Sequence, residues 1–272
     1  MTISNVLVFG GTQGCGLETL LLLLDSNQLY TATVLARNPA AFKQALDERD
    51  AALASSSTLS SKLRIVKGDA LRLKDVSNAF TEAQQFGGNV DAVLYAIGGS
   101  LVFSSNPFAR PTLSPESICD RSIRNVTDAL IALDQPEQPR LVVISSNGLG
   151  KHGHSLLPYL MRPLYSFLLR APHVDKERME VYLQTMAGMQ DIDFNPVPDA
   201  HVEKQPKIKK LAIVRPALLA NGTASKKFRV DQELRGGYTI RRSDVGFFIY
   251  RNLLGGPEDK GQYVGKSVML AY

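Results

Sequence analysis

Apolar residues along the chain fall into short unbroken runs separated by longer stretches of mixed polarity. The runs NVLVFG (5–10), YTATVLAR (30–37), KLRIVKGD (62–69), VDAVLYAIG (90–98), RLVVISS (140–146) and KLAIVRPAL (210–218) have strand length and are rich in Val, Ile and Leu. Helix-length segments follow the first four of them, at 14–26, 39–54, 73–86 and 114–134, and RAPHVDKERMEVYLQ (170–184) reads as the opening of another helix. A strand that is apolar at every position is buried on both faces, whereas a half-solvated strand alternates. The pattern therefore predicts an α/β fold: a doubly wound parallel sheet, the Rossmann fold, with helices on both faces.

Three segments break the rhythm. SSSTLSS (55–61) reads as a polar linker. The Pro/Ser-rich stretch 100–117 follows the fourth strand, where doubly wound folds carry ligand loops, and 188–210 is a long Pro- and Lys-containing insertion. No repeat and no dividing linker is visible, so residues 1–272 are expected to form a single domain. Its C-terminal part, about 147–165 and 217–240, is expected to form the substrate side.

Composition narrows the function only slightly. Apolar residues make up 44% and charged ones 21%, a globular balance, and the net charge of +5 suits a phosphate-bearing cofactor as well as nucleic acid. The basic groups Lys204, Lys207, Lys209, Lys210, Lys226, Lys227 and Arg229 have no interleaved aromatics, so no nucleic-acid partner is expected. Of the two cysteines, Cys15 lies in a Gly-rich turn, which argues against a structural disulfide and for a reducing, cytoplasmic compartment. The leucine run 17–25 is far short of the ~20 apolar residues that span a bilayer, so no membrane association is expected. No targeting leader is visible before the first strand.

VLVFGGTQGCGLETL places Gly10, Gly11, Gly14 and Gly16, with Thr12, Gln13 and Cys15 between them, after a strand and at the start of a helix. Such a turn lets the backbone approach a pyrophosphate at the helix N-terminus, although the spacing differs from GxGxxG and any tight strand–helix turn needs glycine. The second strand ends in Arg37 and Asn38, where NAD-specific folds place an acid on the ribose 2′-hydroxyl. An arginine there pairs with a 2′-phosphate and favours NADP(H); a solvated strand-end arginine is the bland alternative. Asp69, with Ala70, follows the third strand where an adenine edge is commonly held, and Asp69 reads equally well as a helix cap.

Together these segments resemble the short-chain dehydrogenase/reductase superfamily over nearly the whole chain. GGTQGCGLETL resembles its glycine motif, LYAIGG (94–99) its cofactor-side turn through Ala96 and Gly98, and VVISSNG (142–148) the strand that ends in the catalytic serine. VRPALLANG (214–222) and TIRRSDVGFFIYRNLL (239–254) resemble the atypical branch, which includes NmrA-like and biliverdin reductase B-like proteins. The resemblance implies cofactor contacts from the glycine turn, from Lys176, and from Pro216 and Ala217 after the sixth strand. It gives the serine role to Ser146, with Ser145 second, and the lysine role to Lys176.

The superfamily's tyrosine, four residues before that lysine, is replaced by Pro172. Tyr165 and His173 are the candidate substitutes for its proton; for His173 the alternative is a surface residue at a helix start. The biliverdin reductase B-like branch also lacks the tyrosine and has a histidine after the sixth-strand proline, where this chain has Ala217. Asp175 and Glu177 read as first-turn acids favoured by the helix dipole, and Ser243 or Asp244 as the cap of the last helix.

The reading that follows is an NADP(H)-dependent reductase acting on a small hydrophobic carbonyl, quinone, flavin or conjugated acceptor. Leu156, Leu157, Tyr159, Leu160, Tyr165 and Phe167 fit a hydrophobic substrate, and fit internal packing or a homodimer contact equally. The alternatives are a non-catalytic NADP-binding redox sensor and a redox-neutral isomerase or cyclase using the same pocket.

Overall fold

The computed structural model describes residues 3–26, 28–50, 59–106, 109–189 and 206–272. Its centre is an eight-stranded sheet built on the six apolar runs: β1 (Asn5–Phe9), β2 (Thr31–Ala36), β3 (Leu63–Lys67), β4 (Ala92–Tyr95), β7 (Arg140–Ile144) and β8 (Leu211–Pro216). These six pair in parallel in the order β3-β2-β1-β4-β7-β8. Every residue of β1, β4, β7 and β8 is buried, as continuous apolar runs require. The doubly wound Rossmann fold is therefore the one the hydrophobic pattern predicts.

Two strands extend the sheet beyond that pattern. β12 (Lys266–Ala271) continues it in parallel beside β8, and the short β10 (Arg229–Asp231) closes that edge in the antiparallel sense. Two small ladders lie outside it: the hairpin of β5 (Ser100–Val102) and β6 (Thr112–Ser114), and the parallel pair β9 (Leu218–Ala220) and β11 (Thr239–Arg241).

Helices cover both faces. One apolar layer packs α1 (Gly14–Asp25), α2 (Pro39–Arg49) and α9 (Arg242–Leu253) on the sheet; the other packs α4 (Leu73–Gly87), α5 (Ile118–Ile131) and α8 (Arg170–Ala187). α3 (Leu59–Lys62) is a single turn before β3, and α6 (Gly150–Leu156) and α7 (Arg162–Phe167) lie between β7 and α8. The second helix spans Pro39–Arg49 with Asp50 as its C-cap, and 51–54 of the expected helix, 55–58 of the expected linker and 190–205 of the insertion lie outside the described residues. Among the described residues no helix is long and apolar enough to cross a membrane.

Two long-range carboxylates correct the expected caps. α8 opens at Arg170, which puts Asp175 in its second turn rather than its first. There Asp175 is 3% exposed and accepts from the backbone N–H of Cys119 (2.9 Å) and Asp120 (3.0 Å), capping α5 from another helix. Asp244 and Ser243 do not cap α9 either. Asp244 accepts from Ser225 N (3.1 Å), Lys226 N (2.7 Å) and the Tyr272 hydroxyl (2.5 Å), and Ser243 Oγ donates to Gly222 O (2.7 Å). Both residues fasten the loop after β9.

A buried ion pair joins α8 to the sheet. The Arg215 guanidinium on β8 donates through Nε to Glu180 Oε2 (3.0 Å) and through Nη2 to the same oxygen (2.5 Å), with side chains 3% and 0% exposed. Removing one partner strands a buried charge, which costs about 3–5 kcal/mol. Arg215→Met is expected to lower stability by that order in urea denaturation, and Arg215→Met with Glu180→Leu to recover most of the loss.

Candidate cofactor and catalytic site

The glycine turn between β1 and α1 is shaped by close backbone packing. Gly10 has φ +83°, and a Cβ on it would lie 2.6 Å from the carbonyl of Ala96. A Cβ on Gly16 would lie 2.3 Å from Gly10 O. Side chains at these two positions would push α1 off the ends of β1 and β4. Gly11 packs inward on Val8 and Val34, while Gly14 faces open space. The preceding Gln13 makes no side-chain cap, and the first turn of α1 holds no acid, so its backbone N–H groups are free for an anion.

A cleft opens from this turn across the carboxyl ends of β1–β4. Gly10, Thr12, Gln13, Arg37, Asp69, Ala70, Ala96 and Gly98 all line it. Arg37 is exposed at its edge and has no hydrogen-bond or ionic partner among the described residues. Asp69 shapes the turn: Oδ1 accepts from Leu71 N (3.0 Å), its own N–H donates to Asp75 Oδ2 (2.9 Å), and α4 begins after Arg72. Asn38 is occupied otherwise, its Oδ1 accepting from Ala41 N (3.2 Å) as the cap of α2. Cys15 and Gly16 are buried beneath the turn. Burial pushes the Cys15 thiol up to about 12 against the opposing pull of Arg242 and Lys176. Cys119, also a free thiol, is raised likewise by burial to about 12.

A second cluster stands at the carboxyl end of β7. Lys176 is half-buried, and its ammonium donates to the carbonyl oxygens of Ile144 (3.1 Å) and Ser145 (2.9 Å). His173 lies three residues earlier on the same face of α8, its Nε2 3.3 Å from Ser146 Oγ. Burial lowers the His173 pKa from 6.5 to about 4, helped by the charge of Lys176 and by His154, so the imidazole is neutral at pH 7. It is not the surface histidine its charged surroundings in sequence suggest. Tyr165, on α7, packs edge-on against that ring at 5.2 Å and is 3% exposed. Burial raises its hydroxyl to about 12, against a hydrogen bond to the Leu218 backbone.

The neighbours of Ser146 include two unpartnered polar atoms, one on Ser145, the second serine candidate, and one on Asn147, which the sequence did not single out. Ser145 Oγ and Asn147 Nδ2 are buried and have no hydrogen-bond partner among the described residues, while Asn147 Oδ1 accepts from Gly148 N (2.7 Å). The Asn-Gly step directly after two serines was the available signal. Pro216 and Ala217 lie deeper: Pro216 O accepts from Asn147 N (2.9 Å), and Ala217 N donates to Leu270 O (2.9 Å). A hollow of about 470 Å³ adjoins the pair, lined by Gly148, Leu149, His154, Tyr165, His173 and Val174 among others. Of the apolar residues expected around a substrate, Leu156, Leu157 and Tyr165 are core, whereas Tyr159 and Leu160 are more than 80% exposed.

Open amides at an uncapped helix, close-packed glycines beneath them and an unpaired arginine at the cleft edge fit a dinucleotide carrying negative phosphates. Comparison with known proteins agrees. A family model described as NAD(P)H-binding matches residues 10–254. The reductase pytE of Aspergillus terreus is 31% identical over 281 residues, covering 98% of each chain. The oxidase pynE of Aspergillus niger is 27% identical over 306 residues, covering 99% of each. Among solved structures, ChuY, an anaerobillin reductase from Escherichia coli O157:H7, superposes with a TM-score of 0.62 at 19% identity, over 98% of this chain and 96% of that one. The chain belongs to the NAD(P)H-binding family, and its fold is shared with reductases among the solved structures.

Proposed function

We propose that the protein is an NADP(H)-dependent reductase that passes hydride to a small hydrophobic carbonyl, quinone, flavin or conjugated acceptor. The observation that carries this reading is the Ser146–His173 pair, with Lys176 beside it, at the carboxyl end of β7. When bound, the nicotinamide supplies the hydride. The chain's own residues hold and align the reactants. Arg37 would pair with the 2′-phosphate, and the first-turn amides of α1 would donate to the diphosphate.

Ser146 points its proton at the acceptor's oxygen while His173 Nε2 donates to Ser146 Oγ; the other tautomer reverses that bond. Because His173 is neutral, the pair relays a proton and is a weak acid source. That suits acceptors whose reduced form takes its proton from water, with positioning supplying much of the rate. One relative is named a reductase and the other an oxidase, so relatives of this chain carry names for both redox directions. Pro172 at the tyrosine's place favours a second reading, a nucleotide-binding redox sensor without turnover.

Three outcomes are expected. In calorimetric titration NADPH binds at least tenfold more tightly than NADH, and Arg37→Ser removes the difference; tenfold is about 1.4 kcal/mol, within reach of one charge-assisted phosphate contact. In an acceptor screen NADPH is oxidised, and His173→Gln or Ser146→Ala lowers kcat about 10²-fold; tight binding of both nucleotides without turnover of any acceptor would leave the sensor. The third concerns pH. The unfolded chain protonates this histidine near 6.5 and the folded one near 4, so native stability is full above pH 6.5 and falls as pH drops toward 4. The loss is on the order of 3 kcal/mol, and denaturation midpoints of His173→Gln should lack that part of the decline.

A further inference from the structure

Helices α1 and α9 pack side by side on one face of the sheet, both starting at its carboxyl edge. Their register is fixed by Gly246, where a Cβ would lie 2.9 Å from the Glu18 backbone and Thr19 N. Four residues back from that contact on each helix, Arg242 stands level with Gly14, so the first residue of α9 neighbours the first turn of α1. The Arg242 charge also acts on the Cys15 thiol in that turn. Both Arg242 and the glycine turn, through Thr12, Gln13 and Gly14, line a groove of about 790 Å³.

The charges around this groove do not balance internally. Arg241 and Arg242 open α9, where the helix dipole disfavours cations. Arg242 has no carboxylate partner among the described residues: Nη1 donates to Asn221 Oδ1 (2.7 Å) and, more weakly, to Leu219 O (3.5 Å). Asp244 in the same turn is held by Ser225, Lys226 and Tyr272. Glu18, an acid lining the groove, is paired with Arg49. Lys226, also on the groove, lies over the Phe247 ring. An arginine and an uncapped helix N-terminus thus face each other without a counter-ion, which is the arrangement an anion would complete.

We propose that Arg242 binds the nicotinamide-side phosphate of the cofactor's diphosphate, across from the α1 amides, with Asn221 orienting its guanidinium. The groove takes in residues 221–224 and Arg242, whereas Arg37 lines the neighbouring cleft, so the two arginines are assigned different phosphates of the cofactor: Arg37 the 2′-phosphate, Arg242 the nicotinamide-side phosphate. This rests on the dinucleotide reading of the glycine turn.

The test is calorimetry on the full chain with NADPH, NADH and adenosine 2′,5′-bisphosphate, which lacks the nicotinamide-side phosphate. Arg242→Gln is expected to weaken NADPH and NADH alike by tenfold or more while leaving the bisphosphate within twofold. Arg242→Lys is expected to restore most of that loss, and Arg37→Ser to show the opposite pattern, losing NADPH and the bisphosphate but not NADH. Unchanged NADPH affinity in Arg242→Gln overturns the proposal. So does an equal loss on all three ligands with a lower melting temperature, which would mark a structural role through the 219–224 loop. Loss of Arg37 discrimination with the Arg242 pattern intact would instead count against the NADP(H) preference alone.

Discussion

The contact of α1 with the strand ends beneath it governs the carboxyl edge of this molecule. Gly16 approaches Gly10, and Gly10 approaches Ala96, at distances no side chain could occupy, so α1 sits directly on the ends of β1 and β4. That position aims the open N-terminus of the helix across the cleft, and Gly246 then seats α9 against α1 in a fixed register. The cleft, the exposed Arg37 and the groove beside Arg242 all take their places from these approaches. They are steric constraints first, and their electrostatic consequences follow from where they leave the backbone amides.

The core strands were legible because burial on both faces leaves an unbroken apolar run, and the six that read this way are the six that pair in parallel at the centre of the sheet. KSVMLA (266–271) was not picked out, since a short run with Met and Ala does not distinguish strand from helix. The three-residue β10, Arg229–Asp231, has no apolar pattern to read. The glycine turn was readable because a helix seated this closely on strand ends leaves no room for a Cβ at Gly10 or Gly16.

Side chains with distant partners were the least legible. Asp175 looked like a local first-turn acid, yet its partners are 55 and 56 residues away on another helix. Asp244 looked like a cap, and its ligands lie 18 to 28 residues off. His173, inside the charged run HVDKERME, has the local signature of a surface residue. Only the fold brings Tyr165 over its ring and lowers its proton affinity.

Asp175 has a bearing on how such a site can change over time. It is anchored to the start of α5, and the lysine that follows it is anchored to two carbonyls of the β7 end, so this part of α8 is pinned at adjacent positions. The turn before it, with Pro172 and His173, carries no such tether to α5 or to the β7 carbonyls. Substitutions there can change the group that faces the β7 end while the lysine keeps its location. A lineage can thus lose a phenol, or gain an imidazole, without refitting the rest of the pocket.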